Sequence, residues 1–296
     1  MSDNGHMITK LPKEETLLGP ALYVVGTPIG NLEDITLRAL RVLNSVDVIA
    51  CEDTRQTQKL LNHYAIKTKT TSYHEHNEMT RAPELIVDFE QGATIALVTD
   101  AGMPGISDPG FRLITMAIRH HVPVIPIPGA SAFLASLVAS GLPTDSFRFS
   151  AFLPAKAGER RTALEAIRET PRTQIFYEAP HRILETLEDI VDVLGCERHV
   201  VVAREVTKLH EEFIRGTAEQ VLLELKSRPE VKGEITLLIA KPEPNHHPAA
   251  KPKDLRARLE EIMNADTVDE KTALKKLAKE MGVSKSEVYR ELQRAK

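Results

Sequence analysis

Short apolar, β-branched runs that alternate with amphipathic segments constrain the fold of this 296-residue chain more than any other feature. Such runs are typical of strands buried in a sheet, and apolar residues spaced three or four apart between them indicate helices. Strands that alternate with helices pair in parallel and are covered on both faces, so the pattern predicts an α/β fold. The strands predicted in the first half are residues 21–25, 46–50, 94–99 and 122–127.

Turn-forming residues at 141–144 separate two predicted α/β domains, at residues 17–142 and 146–241. Two strand candidates near residues 199–216 have no long helix between them, so we expect antiparallel pairing in the second domain. The strands predicted there are residues 148–152, 173–177, 199–203, 211–215 and 234–240, and the helices are residues 159–169, 180–194 and 217–226.

The C-terminal segment differs in composition from the rest of the chain. A Pro-rich linker is predicted at residues 242–252, followed by a helical segment at 253–296. Residues 272–280 and 285–294 are predicted to form a helix-turn-helix-sized pair, with a capping box of Ser284 and Glu287. Residues 249–296 hold twelve Lys and Arg against nine Asp and Glu, a net +3, which leaves −7 for the remainder. This segment is therefore the more basic part of the chain, though only mildly.

The chain shows no sign of secretion or of a membrane span. Its longest apolar runs, such as residues 132–138, are too short to cross a bilayer, and no basic segment precedes an apolar one at the N-terminus. We expect a cytoplasmic protein without a membrane partner. The total charge of −4 does not by itself indicate a nucleic-acid binder.

Three loops rich in Gly and Pro follow predicted strands, at residues 26–32, 100–110 and 126–132. In open α/β sheets, ligands bind at this carboxyl edge, and glycine lets the backbone approach them closely. The first loop is neither G-x-G-x-x-G nor a P-loop, which disfavours a conventional dinucleotide site and leaves a structural turn open. Ser131 can cap the next helix while offering its hydroxyl and amide to a ligand.

Two polar stretches have structural alternatives. At residues 52–55, Asp53 could be a helix N-cap that is paired with Arg55 rather than a ribose-binding acid. At residues 74–78, the H-x-H pattern lies in an expected loop or helix start, which favours a polar or substrate-facing surface over a metal site. No metal-binding signature was found in the sequence.

Taken together, these segments closely resemble the ribosomal RNA small subunit methyltransferase I family, within the tetrapyrrole-methylase-like superfamily. The resemblance extends over roughly residues 18–241 in matching order and spacing. The matching segments are residues 27–32, 52–55, 74–78, 100–104, 152–156, 176–182 and 204–208.

The resemblance implies two α/β domains of the tetrapyrrole methylase type, with S-adenosylmethionine folded into the cleft between them, no metal, and a homodimer. It implies 2′-O-methylation of a cytidine ribose in the decoding region of small-subunit (16S) rRNA, either naked or within the ribosomal subunit. With rRNA as the implied substrate, we expect the helical segment at 253–296 to dock RNA; the alternative is that its helices stabilise the dimer or pack on the rest of the chain. The cofactor residues it implies are Asp100, Ala101, Gly102, Ile106, Gly129, Ser131, Ala132, Tyr177, Ala203, Arg204, Ile235 and Thr236. The residues expected at the substrate are Pro28, Asn31, Arg55, His74 and His76.

Two positions depart from the family pattern. The family commonly has Thr at the position of Met103, and Cys-Ala at Ser131-Ala132. Neither change removes a charge or a glycine, so we expect cofactor binding to be retained.

The implied reaction needs alignment more than chemical activation, because the positive sulfur already activates the methyl group. A 2′-hydroxyl is a weak nucleophile, so an acceptor for its proton would help. The candidates chosen as catalytic are Asp53, Glu178 and Lys208; Asp100 and Glu205 are further candidates, and all five could instead form structural ion pairs.

Two other functions stay open. A tetrapyrrole (precorrin-type) methyltransferase would share the fold, but its usual G-x-G-P-G-D loop does not match residues 26–31. A ligand-sensing DNA-binding regulator would read bases with residues 284–296, where Gln293 is the only amide side chain.

Overall fold

The computed structural model describes residues 19–242, 259, 262, 263, 269–280 and 288. The chain forms two compact units, Met1–Ala240 and Lys241–Lys296. Two sheets lie within the larger unit, one in each of the predicted α/β ranges. Because both sheets belong to one compact unit, the division into domains at residues 142–146 stays a prediction.

The first sheet has five strands in the order β3-β2-β4-β1-β5, and every pairing is parallel. This confirms the predicted parallel sheet. The strand at residues 69–72 was not predicted, because its Lys-Thr-Thr-Ser sequence carries no apolar run and it lies at the sheet edge. The strands are β1 Ala21–Val25, β2 Val48–Cys51, β3 Lys69–Ser72, β4 Thr94–Val98 and β5 Val124–Ile127.

Helices cover both faces of this sheet. Successive residues of β1 belong to different cores: Tyr23 packs in one cluster, and Leu22 and Val24 in the other. This division follows from the alternation of side chains along a strand. The helices of the first half are α1 Leu37–Ser45, α2 Thr54–His63, α3 Glu78–Glu90, α4 Phe111–Arg119 and α5 Ala132–Ser140.

The second sheet is mixed, with strand order β6-β7-β10-β8-β9. Strands β6 and β7 are parallel, and the other pairings are antiparallel, as expected for residues 199–216. The strands are β6 Phe147–Phe152, β7 Thr173–Glu178, β8 His199–Arg204, β9 Glu212–Thr217 and β10 Ile235–Ile239, and the helices are α6 Ala157–Ile167, α7 Ile183–Leu194 and α8 Ala218–Lys226.

Helix α5 joins the two sheets. Its Leu137 is buried in a cluster with Ile175 of β7 and Leu238 of β10, on the face of the second sheet opposite α6 to α8. The apolar sequence of α5 therefore covers the second sheet, although the helix follows the last strand of the first. This packing explains why the two halves form one compact unit.

The smaller unit contains helix α9, Glu270–Glu280, which confirms the predicted helix at 272–280. Leu274, Leu277 and Val288 are buried in its apolar cluster. The rest of the predicted second helix, the capping box and most of the Pro-rich linker lie outside the described residues. None of the described helices combines the length and the apolar character needed to span a bilayer.

Candidate active site

Two of the predicted loops are hydrogen bonded to each other at the carboxyl edge of the first sheet. The Thr27 amide donates to the Gly102 carbonyl at 2.9 Å, and the Gly102 amide donates to the Thr27 carbonyl at 3.1 Å. The Thr27 hydroxyl also donates to the Thr99 carbonyl at 3.1 Å. These bonds fix the backbone of both loops before any ligand binds.

The third loop packs directly against the first through two glycines. A Cβ atom added to Gly129 would lie 2.8 Å from the Gly26 Cα, and one added to Gly26 would lie 2.7 Å from the Gly129 Cα. Gly129 is therefore required by the neighbouring backbone. Gly102 is required for a different reason, because its φ of +79° is one that residues with a side chain rarely adopt.

A cavity of about 810 Å³ lies between these loops and the second sheet. Its size is in the range of small-molecule and cofactor sites. The first half contributes the loops after β4 and β5, and the second half contributes the ends of β6 and β7 and the start of β10. The lining residues are Ile29, Ala101–Pro104, Ile106–Asp108, Pro126, Pro128, Gly129, Ser131–Leu134, Phe152, Tyr177–Pro180, Val206 and Gly233–Thr236.

Nine of the twelve predicted cofactor residues line this cavity: Ala101, Gly102, Ile106, Gly129, Ser131, Ala132, Tyr177, Ile235 and Thr236. Ser131 occupies the N-cap position of α5, as predicted, but its side chain makes no capping hydrogen bond. Its hydroxyl is not used by the helix and remains able to bind a ligand.

The structure places Asp100, Ala203 and Arg204 outside the cavity wall. An Asp100 carboxylate oxygen accepts a hydrogen bond from the Asp53 amide at 3.2 Å, and Ala203 is buried within β8. Arg204 donates to the Lys232 and His210 carbonyls at 3.1 and 3.2 Å, and so supports the loops behind the wall. Their cofactor roles stay predictions.

Asp53 has the structural role that the sequence left open. Its Oδ1 accepts a hydrogen bond from the Arg55 amide at 2.8 Å at the start of α2, and its Oδ2 pairs with the Arg55 guanidinium at 2.8 Å. Hydrogen bonds from the Arg55 side chain and amide lower the pKa of Asp53 to about 2. A carboxylate with such a low pKa is a poor proton acceptor.

Glu178 lies at the end of β7, and its side chain is 0% exposed. Its Oε1 accepts a hydrogen bond from the Ala179 amide at 2.8 Å, and its Oε2 accepts one from the Thr186 hydroxyl at 2.7 Å. Arg182 lies 3.4 Å from Oε1. Both oxygens are thus engaged in holding the turn between β7 and α7.

Lys208 pairs with two carboxylates, Glu205 at 2.9 Å and Glu234 at 3.2 Å. Burial lowers the pKa of Lys208, but the hydrogen bonds to Glu205 and Glu234 outweigh it and the net shift is upward. The ammonium therefore stays protonated at neutral pH and cannot accept a proton. A Cβ atom on Gly30 would collide with the Lys208 Cγ, so the first loop packs on this side chain.

The five residues predicted at the substrate do not line the cavity. Pro28 is buried, and the Asn31 side chain accepts from the Glu33 amide at 3.1 Å. Arg55 is exposed beside Asp53. The rings of His74 and His76 lie 5.9 Å apart in the turn before α3, in agreement with the expected loop, and His74 Nδ1 is buried without a hydrogen-bond partner.

Asp108 is a site residue that the sequence did not single out. It lines the cavity half-buried, and it makes no hydrogen bond or ion pair with any residue in the described part of the chain. Burial, followed by repulsion from Glu52, Asp100 and Glu75, raises the pKa of Asp108 to about 6. The only sequence signal was its position in the loop of residues 100–110.

Phe152 also lies at the site, although no role was predicted for it. It lies at the end of the edge strand β6, lines the cavity and is 54% exposed. Its ring centroid lies 5.8 Å from that of Tyr177. The only sequence signal was its place at the start of the family-matching segment 152–156.

Solved structures share this fold. Diphthine synthase has a TM-score of 0.59 at 16% identity, with 74% of this chain and 90% of that chain covered. Uroporphyrin-III C-methyltransferase from Thermus thermophilus, solved in complex with S-adenyl homocysteine, has a TM-score of 0.52 at 19% identity, with 74% and 97% covered. The profile of Tetrapyrrole (Corrin/Porphyrin) Methylases matches residues 21–222. The fold and its cavity thus define a protein of the tetrapyrrole methylase class.

Sequence relatives give a narrower assignment. Ribosomal RNA small subunit methyltransferase I of Halalkalibacterium halodurans is 48% identical over 273 residues, with 90% of this chain and 93% of the relative covered. The protein of the same name in Mesorhizobium japonicum is 46% identical, with 93% and 92% covered. Within the tetrapyrrole methylase class, the chain belongs to the ribosomal RNA small subunit methyltransferase I family.

Proposed function

We propose that this protein transfers a methyl group from S-adenosylmethionine to the 2′-oxygen of a cytidine ribose in the decoding region of small-subunit rRNA. That the protein methylates rRNA follows from the family to which the chain belongs. The family resemblance suggests that the methylated atom is the 2′-oxygen of a cytidine. The observation that carries the proposal is the cavity of about 810 Å³, which is built from loops that match the family.

The cavity residues fit such a cofactor. Ile106 and Ile235 are apolar walls for a nucleoside, and the free Ser131 hydroxyl and loop backbone can bind its polar groups. The bound cofactor supplies a methyl group already activated by the positive sulfur, so we propose that no metal is required. The chain's contribution is to align the ribose oxygen with that methyl group.

We assign Asp108 as the acceptor of the 2′-hydroxyl proton, ahead of the predicted Asp53, Glu178 and Lys208. The carboxylates lining the cavity are Asp108, Glu178 and Glu234, and within the described residues only Asp108 lacks a partner. As the oxygen–methyl bond forms and the sulfur–methyl bond breaks, the hydroxyl proton passes to the Asp108 carboxylate. A pKa of about 6 suits an acceptor at neutral pH.

The expected homodimer has a candidate surface on α4 and α5. Phe111 and Val138 are 76% and 77% exposed there, and Leu134 and Ile118 add further apolar area. In a two-fold dimer each copy presents the same surface to the other, so these exposed side chains would be covered in both copies. We propose that a second copy of this chain covers it in the cytoplasm, while the C-terminal unit docks the rRNA.

The experiment uses small ribosomal subunits and S-adenosylmethionine with a tritiated methyl group. We expect tritium in 16S rRNA and, after digestion to nucleosides, in 2′-O-methylcytidine. Label on a base, or transfer to a porphyrin precursor but not to rRNA, would contradict the proposal. Naked 16S rRNA, assayed in parallel, shows whether the assembled subunit is needed.

A further inference from the structure

The edge strand β6 contains a bulge next to the cavity. Phe149 pairs with Ile175 of β7, but the next registered pair is Phe152 with Tyr177. Three steps on β6 therefore match two steps on β7, so β6 holds one extra residue. Ala151, within this interval, has a φ of +48°, which is rare for a residue with a side chain.

The bulge determines where Phe152 points. In a regular strand Phe149 and Phe152 would lie on opposite faces, because side chains alternate. Here both rings contact Tyr177, with centroid distances of 4.9 Å for Phe149 and 5.8 Å for Phe152. Bulges near active sites often redirect a side chain in this way. The extra residue thus brings Phe152 to the cavity side of the sheet.

The Phe152 ring packs against other aromatic rings on one side and is exposed to solvent on the other. Phe133 of α5 stacks on Phe149 at 4.6 Å, and Phe149 in turn packs against Tyr177, so a row of aromatic rings backs Phe152. Yet Phe152 itself stays 54% exposed. An exposed, firmly held aromatic face on a cavity wall is suited to stacking with a planar ligand.

We propose that Phe152 is the stacking platform for the base of the target nucleotide, which is extruded from the rRNA when its ribose enters the cavity. This inference rests on the proposed function. To bring a ribose oxygen to a methyl group inside the cavity, the nucleotide must leave its neighbours, and proteins commonly stack such unstacked bases on aromatic side chains. Stacking is tolerant of base identity, so the ring contributes affinity and position for any nucleobase.

The test compares Phe152→Ala and Phe152→Trp with the wild-type protein on small ribosomal subunits. We expect Phe152→Ala to lower kcat/KM by about 10- to 100-fold, mainly through KM for the subunit, and Phe152→Trp to restore most of it. The affinity for S-adenosylhomocysteine, measured by calorimetry, should stay within twofold. Phe147→Ala is the matched control, because Phe147 lies on the same strand, is 40% exposed and does not line the cavity.

Other outcomes overturn the inference. If Phe152→Ala weakens binding of S-adenosylhomocysteine and leaves KM for the subunit unchanged, the ring contacts the cofactor instead. If Phe152→Ala behaves like Phe147→Ala, the ring has no part in binding. A wild-type protein that does not methylate the subunit at all refutes the proposed function, and with it this inference.

Discussion

The two walls of the cavity are built in different ways. The first-half wall is formed by loops after parallel strands, and the backbones of these loops are locked together by the Thr27–Gly102 bridge and by the contact of Gly26 with Gly129. The second-half wall includes the side chains of Tyr177 and Phe152, which lie on strands of a mixed sheet. An atom added to Gly26 or Gly129 collides with the neighbouring backbone, whereas the Phe152 side chain can be shortened or replaced. Substitutions in the two walls should therefore fail in different ways.

The largest effect is expected at Gly129. In Gly129→Ala the new Cβ atom meets the Gly26 backbone at 2.8 Å, so one loop must move. We expect the affinity for S-adenosylhomocysteine to fall by about 100-fold or more, and the free energy of unfolding to fall by about 1–3 kcal/mol. Calorimetry and urea unfolding measure the two quantities. Gly158→Ala is the control, because a Cβ atom there meets nothing within 4 Å; normal binding by Gly129→Ala would show that this wall is not rigid.

Asp108→Asn should lower kcat by about 100- to 1,000-fold and leave the affinity for S-adenosylhomocysteine within threefold, because the amide cannot accept the proton. Asp88→Asn, an exposed change on α3, serves as the control. An Asp108→Asn protein with wild-type kcat would remove this residue from the reaction.

The pH dependence tests the same residue. The pKa of Asp108 is about 6, so wild-type activity should fall as the pH falls through about 6, as the carboxylate becomes protonated. Because this folded-state pKa lies above the ordinary value, ionisation of Asp108 opposes folding at higher pH. Asp108→Asn should thus be more stable than wild type at pH 7, with the difference fading towards pH 4. Equal thermal unfolding curves at pH 7 would contradict this account.

Glu178 tests whether a buried carboxylate in the second-half wall has a structural or a catalytic role. Glu178→Gln removes a buried carboxylate that binds the Ala179 amide and the Thr186 hydroxyl, so we expect the free energy of unfolding to fall by about 1–3 kcal/mol. Under conditions where the variant is fully folded, its kcat should remain within about tenfold of wild type. A loss as large as that of Asp108→Asn, with unchanged stability, would instead support the predicted catalytic role of Glu178.

The smallest effect on the cavity is expected from truncation after Ala240, where the larger unit ends. Affinity for S-adenosylhomocysteine should stay within twofold, while binding to the ribosomal subunit weakens by about tenfold and depends less on salt, because basic residues are lost. Light scattering and salt-dependent binding provide the measurements. Normal methylation by the truncated protein, or its dissociation into monomers, would rule out the docking role.

The loops of the first-half wall could be predicted from the sequence because the residues that indicate them are local. Gly and Pro after an apolar run mark a loop whatever surrounds it, and parallel strands bring such loops to one edge. Two features were not predicted because no local pattern indicates them. Strand β3 is a polar edge strand. The packing of α5 depends on a sheet whose strands follow it in the chain. Asp53 shows the reverse case, since an N-cap paired with Arg55 was an alternative already visible in the sequence.

The sequence by itself determined the α/β class, nearly all the strands, the Gly- and Pro-rich loops and the family. Only the tertiary structure decided which carboxylates are engaged and which is free, because hydrogen bonds such as those of Glu178 and Lys208 join residues from different elements. It also decided the direction of Phe152, because a single extra residue in β6 reverses the face on which a side chain lies. Local patterns fix backbone elements, whereas the availability of a side chain depends on every neighbour that the fold brings to it.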